Sequence, residues 1–387
     1  MTLQLPKGTR DFSPEEKILR DKIINTLKEV FELYGYAPLE TPILERYDVL
    51  ASKYAGGSEI LKETFKLKDQ GNRELGLRYD LTVPLARFVG MNSNMKMPFK
   101  RYQIGEVFRD GPVASARYRQ FTQCDVDVVG PSSIATDAEM ITLIYSAFCK
   151  LNLEIIVKVN NRKLLNNMLD YCGIEKSKQE NVILSIDKLE KFGASVVKNE
   201  LKEQKIDDKK IDKIVDIISI KGSNQQKINQ LKNLLKDSEG LSEIEQLIAY
   251  LKNPDFEIDF DVSLARGLSY YTGTVIEAFL KSSNVKSTVC GGGRWDNMIG
   301  AFLGKGDYQA VGISFGVDRV YDALIEKEKI LQKTNTKIYI IPIKTLNESM
   351  KITQQLRDAG INTDIDLSGK GPSKNLEYAN SLGIPYV

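Results

Sequence analysis

Residues 105–130 read "GEVFRDGPVASARYRQFTQCDVDVVG". The stretch has the pattern of a strand, a loop and a second strand. In "FTQCDVDVV" a period of two places Phe121, Gln123, Asp125 and Asp127 on one face, and Thr122, Cys124, Val126 and Val128 on the other. On the preceding strand Arg101, Gln103 and Arg109 share a side, and Arg117 and Arg119 follow in the connection. One face of this hairpin is therefore apolar, and the other is lined with charge of both signs. Buried charge is costly unless it is paired or meets a ligand. The pattern predicts a pocket that holds an anionic and a cationic group at once.

Working outward, "SPEE" at residues 13–16 predicts a helix start, with Ser13 capping and Glu16 completing a capping box. Apolar residues then recur at helical spacing until Gly35. "APLETPILE" reads as extended, and "ETFKLKDQGNRELGLRYD" as a hairpin around Asp69 to Asn72. "LTVPLARFV" predicts a helix, with Thr82 as its cap and Pro84 in the first turn. "SSIATDAEMITLIYSAFCKL" predicts a helix suited to the apolar face of the hairpin.

Residues 160–252 are rich in Lys, Asn, Ile and Leu, with several short helical patterns and nearly balanced charge. They predict a helical insertion whose lysines form a solvated face. After it the strands return: "DFEIDFDVSLARGLSYYTGTVIEAFL" holds two strands around Arg266. "STVCGGGRWDNMIG" reads as a strand entering a glycine loop, and "AVGISFGVDRVYDALI" as a strand followed by a helix. From Asn335 strand and helix alternate, which predicts a small α/β module with a largely parallel sheet. That module stops at "GIPYV", which predicts a truncated final domain. The fold class expected is α+β, divided as 1–159 and 253–328 for the body, 160–252 for the insertion and 335–387 for the partial C-terminal domain.

Composition narrows the function. The 387 residues carry a net charge of +2, so any nucleic-acid surface must be local. No apolar run is long enough to span a membrane, and the N-terminal stretch "MTLQLPKGTRDFSPEE" resembles neither a secretory nor a transit peptide. The four cysteines form no CxxC and read as reduced thiols of a cytoplasmic protein without a metal site. The chain has no histidine. Imidazole acid–base chemistry and His-activated nucleophiles are thereby excluded. Compositional drift is the plainer account of that absence.

No Walker loop and no strand–GxGxxG–helix motif occurs. "CGGGRWDN" reads equally as a tight turn or as a loop that lets a ligand approach backbone. Arg319, in the first turn of a helix leaving a strand, is unfavourable beside the helix dipole unless an anion or an acid such as Asp318 offsets it. Arg109, Arg117, Arg266 and Arg319, taken with Asp80, Gln123, Asp125 and Asp127, favour a ligand bearing phosphates and an ammonium group.

The residues then resemble a known family. "FRDGPVASARYRQFTQCDVDVVG" is similar to motif 2 of class II aminoacyl-tRNA synthetases, "GVDR" to motif 3 and "LETPILE" to motif 1. "RYDLTVPLAR" and "LARGLSYYTG" closely resemble signatures of the histidyl-tRNA synthetases, in their archaeal and eukaryotic form. The resemblance covers nearly the whole chain. It implies a six-stranded antiparallel catalytic sheet flanked by helices, a helical insertion, a C-terminal anticodon-binding domain and a homodimer. It implies ATP with Mg2+, histidine and tRNA(His) as partners. The reaction implied forms histidyl-adenylate and then transfers histidine to tRNA.

Residue by residue, the resemblance implies Arg109 on the α-phosphate, with Arg266 approaching it from the other side. These two are the catalytic residues. Phe121 would stack on adenine, and Arg117 and Arg319 would hold the far end of ATP. Asp80 and Tyr271, with Tyr270 beside them, would grip the imidazole. Thr82 and Asp127 would take the α-ammonium and Gln123 the carboxylate. The implied mechanism needs no general base, because an ionised carboxylate attacks phosphorus and catalysis becomes positioning plus charge stabilisation. Two positions depart from the family pattern: Ser269 where Asp is usual, and Trp295 where Tyr is usual. The rival expectation is a non-catalytic relative, either a regulatory subunit or a sensor of uncharged tRNA.

Overall fold

The computed structural model describes residues 2–52, 61–113, 118–252, 255, 257–267, 270–304, 306, 308–327 and 331–387, with the side chain of Lys191 left aside. The chain divides into two compact units. The first is Met1–Thr9 with Thr26–Val320, and the second is Arg10–Asn25 with Tyr321–Val387.

The first unit is built on an eight-stranded sheet. Its strands are β1 (Ala37–Pro38), β5 (Phe99–Phe108), β6 (Gln120–Val129), β11 (Ala310–Gly316), β10 (Cys290–Arg294), β9 (Thr274–Leu280), β7 (Ile155–Asn161) and β8 (Ile258–Phe260), in that spatial order. The six strands from β5 to β7 pair antiparallel, while β1 and β8 join the edges in parallel. A separate three-stranded sheet joins β2 (Leu44–Arg46), β4 (Glu74–Leu77) and β3 (Lys66–Lys68). The expected hairpin at Asp69 to Asn72 is the connection between β3 and β4, and Asn72 turns it with a φ of 57°.

The apolar face of the large sheet is covered as its period of two requires. The helix Ile134–Lys150, capped by Ser133, buries Ile141, Ile144 and Phe148. Phe315 on β11 is the hub, with ring centroids 5.8 Å from Phe148 and 5.6 Å from Phe31. Between Arg162 and Tyr250 the described residues form seven helices. Asp208–Ile218 is representative: it buries Ile211, Ile214, Ile217 and Ile218, and Asp207 caps it. These helices belong to the first unit by their contacts, so the insertion is continuous with the sheet it interrupts.

The second unit pairs β12 (Ile338–Ile340) in parallel with β13 (Thr363–Ile365), and Tyr386 bridges in parallel to Ile338. The helices Leu346–Asp358 and Pro372–Ser381 alternate with these strands, which is the expected α/β order. Tyr339, Ala379 and Ile384 form its core. The capping box at Ser13 is present, with the Ser13 amide donating to Glu16 Oε2 at 2.7 Å and the Glu16 amide donating to Ser13 Oγ at 3.4 Å.

Candidate functional site

Register fixes the site. Two rows of residues cross the face of the sheet opposite the helix Ile134–Lys150. One runs Gln103, Asp125, Ser314, Gly291, Glu277 and Lys158, and the next runs Arg101, Asp127, Gly312, Gly293, Val275 and Asn160. The polar face expected on β6 therefore continues across six strands.

The glycines in these rows make room for side chains. A Cβ on Gly291 would lie 2.1 Å from Arg266 Nη1, and one on Gly312 would lie 1.8 Å from Asp127 Oδ1. Gly105, one row further out on β5, leaves space in the same way for Arg78, whose Nη2 would be 2.3 Å from a Cβ. The expectation of a glycine loop after Cys290 is corrected here. The three glycines lie inside β10, because side chains and the backbone of β11 occupy the space that Cβ atoms would need.

At one end of this floor three acids are buried. Asp80, Asp125 and Asp127 are 5%, 3% and 2% exposed, beside the buried guanidiniums of Arg78 and Arg101 at 4% and 0%. Arg101 Nη2 lies 2.8 Å from Asp127 Oδ2, an ion pair without the alignment of a hydrogen bond. Burial pushes the Asp80 carboxyl up to about 7, against the Val83 amide that it accepts at 3.0 Å. Burial also raises Asp125 and Asp127, Arg101 opposing in both cases. Three buried carboxyls gathered at one end of the floor suit a cationic ligand once they ionise.

Asp80 also corrects the expected cap. The helix Thr82–Met91 begins at Thr82 itself, with Leu81 at the N-cap, and the Asp80 carboxylate satisfies the Val83 amide. Thr82 is therefore a buried first-turn residue. Trp295 is 2% exposed, and its indole N–H favours the ionised form of Asp127. The indole keeps a donor at the position where loss of a hydroxyl was expected. Gln123 Nε2 donates to Ser314 Oγ at 3.0 Å, while Gln123 Oε1 is buried with no hydrogen-bond partner among the described residues.

The other end is wider and more open. Arg109, Phe121, Gln123, Arg266, Glu277 and Arg319 are among the residues lining a cavity of 1080 Å3. Arg109 Nε donates to the Tyr79 carbonyl at 3.2 Å, and its guanidinium carbon lies 5.1 Å from the centre of the Phe121 ring. Arg266 has a φ of 44°, a left-handed value uncommon outside glycine. Its Nη1 donates to the Ile276 carbonyl at 3.2 Å, and its Nε lies 3.7 Å from Glu277 Oε1. Arg319 donates to the Thr288 carbonyl, and burial lowers its pKa. The acid offered as its alternative partner, Asp318, accepts from the Thr122 amide at 3.3 Å and also favours the charged form of Arg319.

The expected residues thus fall into two adjoining groups. Arg109, Phe121, Gln123, Arg266 and Arg319 line the large cavity. Asp80, Thr82 and Asp127 lie in the buried acidic end. The Tyr270 and Tyr271 rings pack in a tilted pair with centroids 4.8 Å apart, and the Arg266 guanidinium carbon lies 5.4 Å from the Tyr271 ring centre. Arg117 and Ser269 lie outside the described residues. Sequence reasoning missed Arg78 and Glu277. Period two on β9 could have found Glu277, and Arg78 heads the quoted stretch "RYDLTVPLAR" but lies just past the end of β4, where no strand face assigns it a side.

Comparison with known proteins agrees with this geometry. The family model described as histidyl-tRNA synthetase matches residues 8–320, and an anticodon-binding-domain model matches residues 337–387. Histidine–tRNA ligase 1 of Bacillus cereus (strain ZK / E33L) is 44% identical over 392 residues, covering 100% of this chain and 92% of that protein. A histidine–tRNA ligase of Bacteroides fragilis (strain YCH46) is 38% identical over 417 residues, covering 99% and 90%. The histidyl-tRNA synthetase structure from Nostoc sp. PCC 7120 superposes with a TM-score of 0.86 at 33% identity, covering 99% of this chain and 90% of that one. A Bacillus halodurans structure described as an ATP phosphoribosyltransferase regulatory subunit/histidyl-tRNA synthetase shares the fold, with a TM-score of 0.82 at 22% identity, covering 99% and 96%. These relatives are bacterial, so the expectation of the archaeal and eukaryotic form finds no support among them. This chain belongs to the histidyl-tRNA synthetase family.

Proposed function

We propose that this chain activates histidine with ATP to give histidyl-adenylate, and then transfers the histidyl group to tRNA(His). The observation that carries this reading is the shared floor: a cavity lined by Arg109, Arg266 and Arg319 adjoins a buried end where the carboxyls of Asp80, Asp125 and Asp127 gather. Histidine and ATP together present the complementary groups, an ammonium and a triphosphate.

In this reading Asp127 and Asp80 take the positive end of histidine. Asp127 faces the α-ammonium with Thr82 beside it, and Asp80 with Tyr271 and Tyr270 selects the imidazole. A pocket with buried polar partners rejects apolar analogues, because those partners would be left unpaired. Gln123 has its acceptor oxygen open in this orientation, which suits the ammonium. Binding the histidine carboxylate instead requires the amide to turn over. Phe121 stacks on adenine opposite Arg109. Arg109 and Arg266 approach the α-phosphate from two sides, and Arg319, with Arg117, holds the β and γ phosphates. Arginine forks suit phosphate oxygens, and charge that builds on phosphorus is met by groups already in place.

Mg2+ enters with the nucleotide. Among the described residues no group of three acids or thiols is spaced to hold a metal. Magnesium commonly keeps its waters and binds phosphate oxygens with one or two carboxylates, and Glu277 beside Arg266 is placed to supply one. When bound, the ion neutralises phosphate charge. We assign 1–159 and 253–328 to the catalytic domain, 160–252 to the insertion and 335–387 to the anticodon-binding domain, while by contacts Arg10–Asn25 and Tyr321 onward group with the C-terminal unit. Two such chains form a homodimer in the cytoplasm.

The test is ATP–pyrophosphate exchange measured with each amino acid in turn. Exchange with histidine alone supports the reading. No exchange with any amino acid overturns it in favour of the binding-module rival, the regulatory subunit or sensor.

A further inference from the structure

Asp80 and Thr82 flank Leu81, where the chain passes from β4 into the helix Thr82–Met91, and Asp127 lies on β6. β4 and β6 belong to different sheets, so no strand pairing sets the distance between these groups. The segment Arg78–Leu81 has neither helix nor strand of its own. The backbone of Arg78 bonds to Ile43 and Phe108, and beyond it side chains hold the segment. Arg78 Nη1 donates to the Thr41 carbonyl at 2.7 Å, and the Tyr79 hydroxyl donates to the Leu50 carbonyl at 3.0 Å. Neither contact reaches β6.

Arg101 makes that link. It lies directly opposite Asp127 in the register of β5 and β6, and it is 0% exposed. Its Nη2 donates to the Leu81 carbonyl at 3.1 Å and lies 2.8 Å from Asp127 Oδ2. The same carbonyl accepts from the Leu85 amide at 3.3 Å, so Arg101 takes its second lone pair. One nitrogen thus touches both the segment that carries Asp80 and Thr82 and the carboxylate of Asp127. The rest of the guanidinium adds little to the fold. Nε and Nη1 are buried without hydrogen-bond partners among the described residues, and Asp127 Oδ2 likewise. Buried donors left unmet are costly, and a well-packed apolar side chain avoids that cost. A guanidinium in this place is explained by its effect on its neighbours.

We propose that Arg101 is a positioning residue for histidine, holding the Asp127 carboxylate in register with Asp80 and Thr82 so that ammonium and imidazole are gripped as one unit. The inference rests on the histidine site of the reading above, and Arg101 acts there through Asp127 and Leu81. Its charge acts in the same sense as its geometry. Burial pushes the Asp127 carboxyl up to about 7, and Arg101 is the strongest influence against that rise. The other groups facing Asp127 are Asp125 on its own strand, Asp80, the Trp295 indole, and Tyr36 just before β1. Of the charged groups acting on Asp127, Arg101 alone favours its ionised form, which an incoming ammonium needs.

The test is calorimetric binding of histidine and, separately, of ATP to the full chain between pH 6 and 8, in the unmodified protein, Arg101→Gln and Arg101→Lys. Arg101→Gln should weaken histidine about 10- to 100-fold at pH 7, the size of one hydrogen bond to a charged group, and leave the Kd for ATP within about twofold. Its gain in histidine affinity with rising pH should move to higher pH, because Asp127 without its facing cation gives up its proton later. The imidazole of the ligand titrates alike in every variant, so the shift is read between variants. Arg101→Lys keeps the charge and should restore the pH profile. Its histidine Kd should stay several-fold raised, because a point charge on a flexible stem does not hold two groups as a planar guanidinium does. Unchanged histidine affinity in Arg101→Gln overturns the proposal. So does a loss shared equally by histidine and ATP with the pH profile unmoved, which is the mark of a purely structural arginine. If Arg101→Gln does not fold, Arg101→Lys decides: a selective loss of histidine affinity supports the proposal, and an unchanged or shared loss overturns it. Binding is read without turnover. A chain that binds histidine as described but shows no pyrophosphate exchange therefore sinks the ligase reading alone, and normal exchange with unchanged histidine affinity in the variants sinks this proposal alone.

Discussion

The two ends of the floor solve opposite electrostatic problems by opposite means. At the acidic end the charges sit directly on β5 and β6 or cap a helix, and they are almost fully buried. At the arginine end the charges reach in from outside the central strand rows. Arg109 follows the end of β5, Arg266 comes from a loop at a left-handed φ, and Arg319 comes from the first turn of a helix. A small ammonium can be enclosed by a rigid, dry site. A triphosphate is large, highly charged and must leave as pyrophosphate, so its partners are long side chains around an open cavity. The difference predicts that damage at each end is felt in a different kinetic constant.

The largest effect is expected at Arg266. Arg266→Gln should lower the rate of adenylate formation roughly 10²- to 10³-fold, the usual loss for removing one preorganised donor to a developing charge. The KM for histidine should stay within a factor of about three, because uniform binding at the other end is untouched. Single-turnover formation of histidyl-adenylate measures both.

Next comes Asp127. Asp127→Asn leaves Arg101 facing no carboxylate at that position and removes the proposed ammonium partner. Removing one partner of a buried ion pair costs about 3–5 kcal/mol. The KM for histidine should rise accordingly, with the KM for ATP unchanged in the exchange assay.

A pH effect of about tenfold should follow from Asp80. Its folded carboxyl titrates near 7, well above an unfolded aspartate. Two signs follow. The raised value means that the group favours the ligand-free fold at low pH and that this contribution is lost as pH rises through 7. Ionisation over the same window makes Asp80 a stronger acceptor for the N–H of the neutral imidazole, so the KM for histidine should fall as pH goes from 6 to 8. Asp80→Asn should flatten that profile and raise the thermal midpoint of the ligand-free protein more at pH 8 than at pH 5.

The smallest effect is expected on the insertion. The pair of Lys198 and Asp212 is 2.7 Å apart, with side chains 40% and 64% exposed. Lys198→Met should leave both the denaturant midpoint and the exchange rate unchanged.

Much of this was legible in the sequence because β6 declares itself. Its alternation of Gln123, Asp125 and Asp127 with Cys124, Val126 and Val128 gives strand and facing together, and the register bears it out. The cap at Ser13 was equally readable, since a hydroxyl before a helical pattern acts locally. Where reading by pattern failed, the cause was contact between segments distant in sequence. Glycines 291–293 look like a loop until Arg266 and β11 are seen to fill the missing Cβ positions. Thr82 looks like a cap until Asp80 is found accepting the Val83 amide. Arg78 and the indole of Trp295 belong to the acidic end only because the fold carries them there.

The central claim is that two glycines let one sheet face carry both halves of the chemistry. Gly291→Ala and Gly312→Ala, each followed by single-turnover adenylate formation over a histidine titration, test it most directly. The first variant should displace Arg266 and lower the limiting rate while histidine affinity holds. The second should displace Asp127 and weaken histidine while the limiting rate holds. If both variants change the same constant, or if neither constant moves, the two ends do not share the floor in the way described.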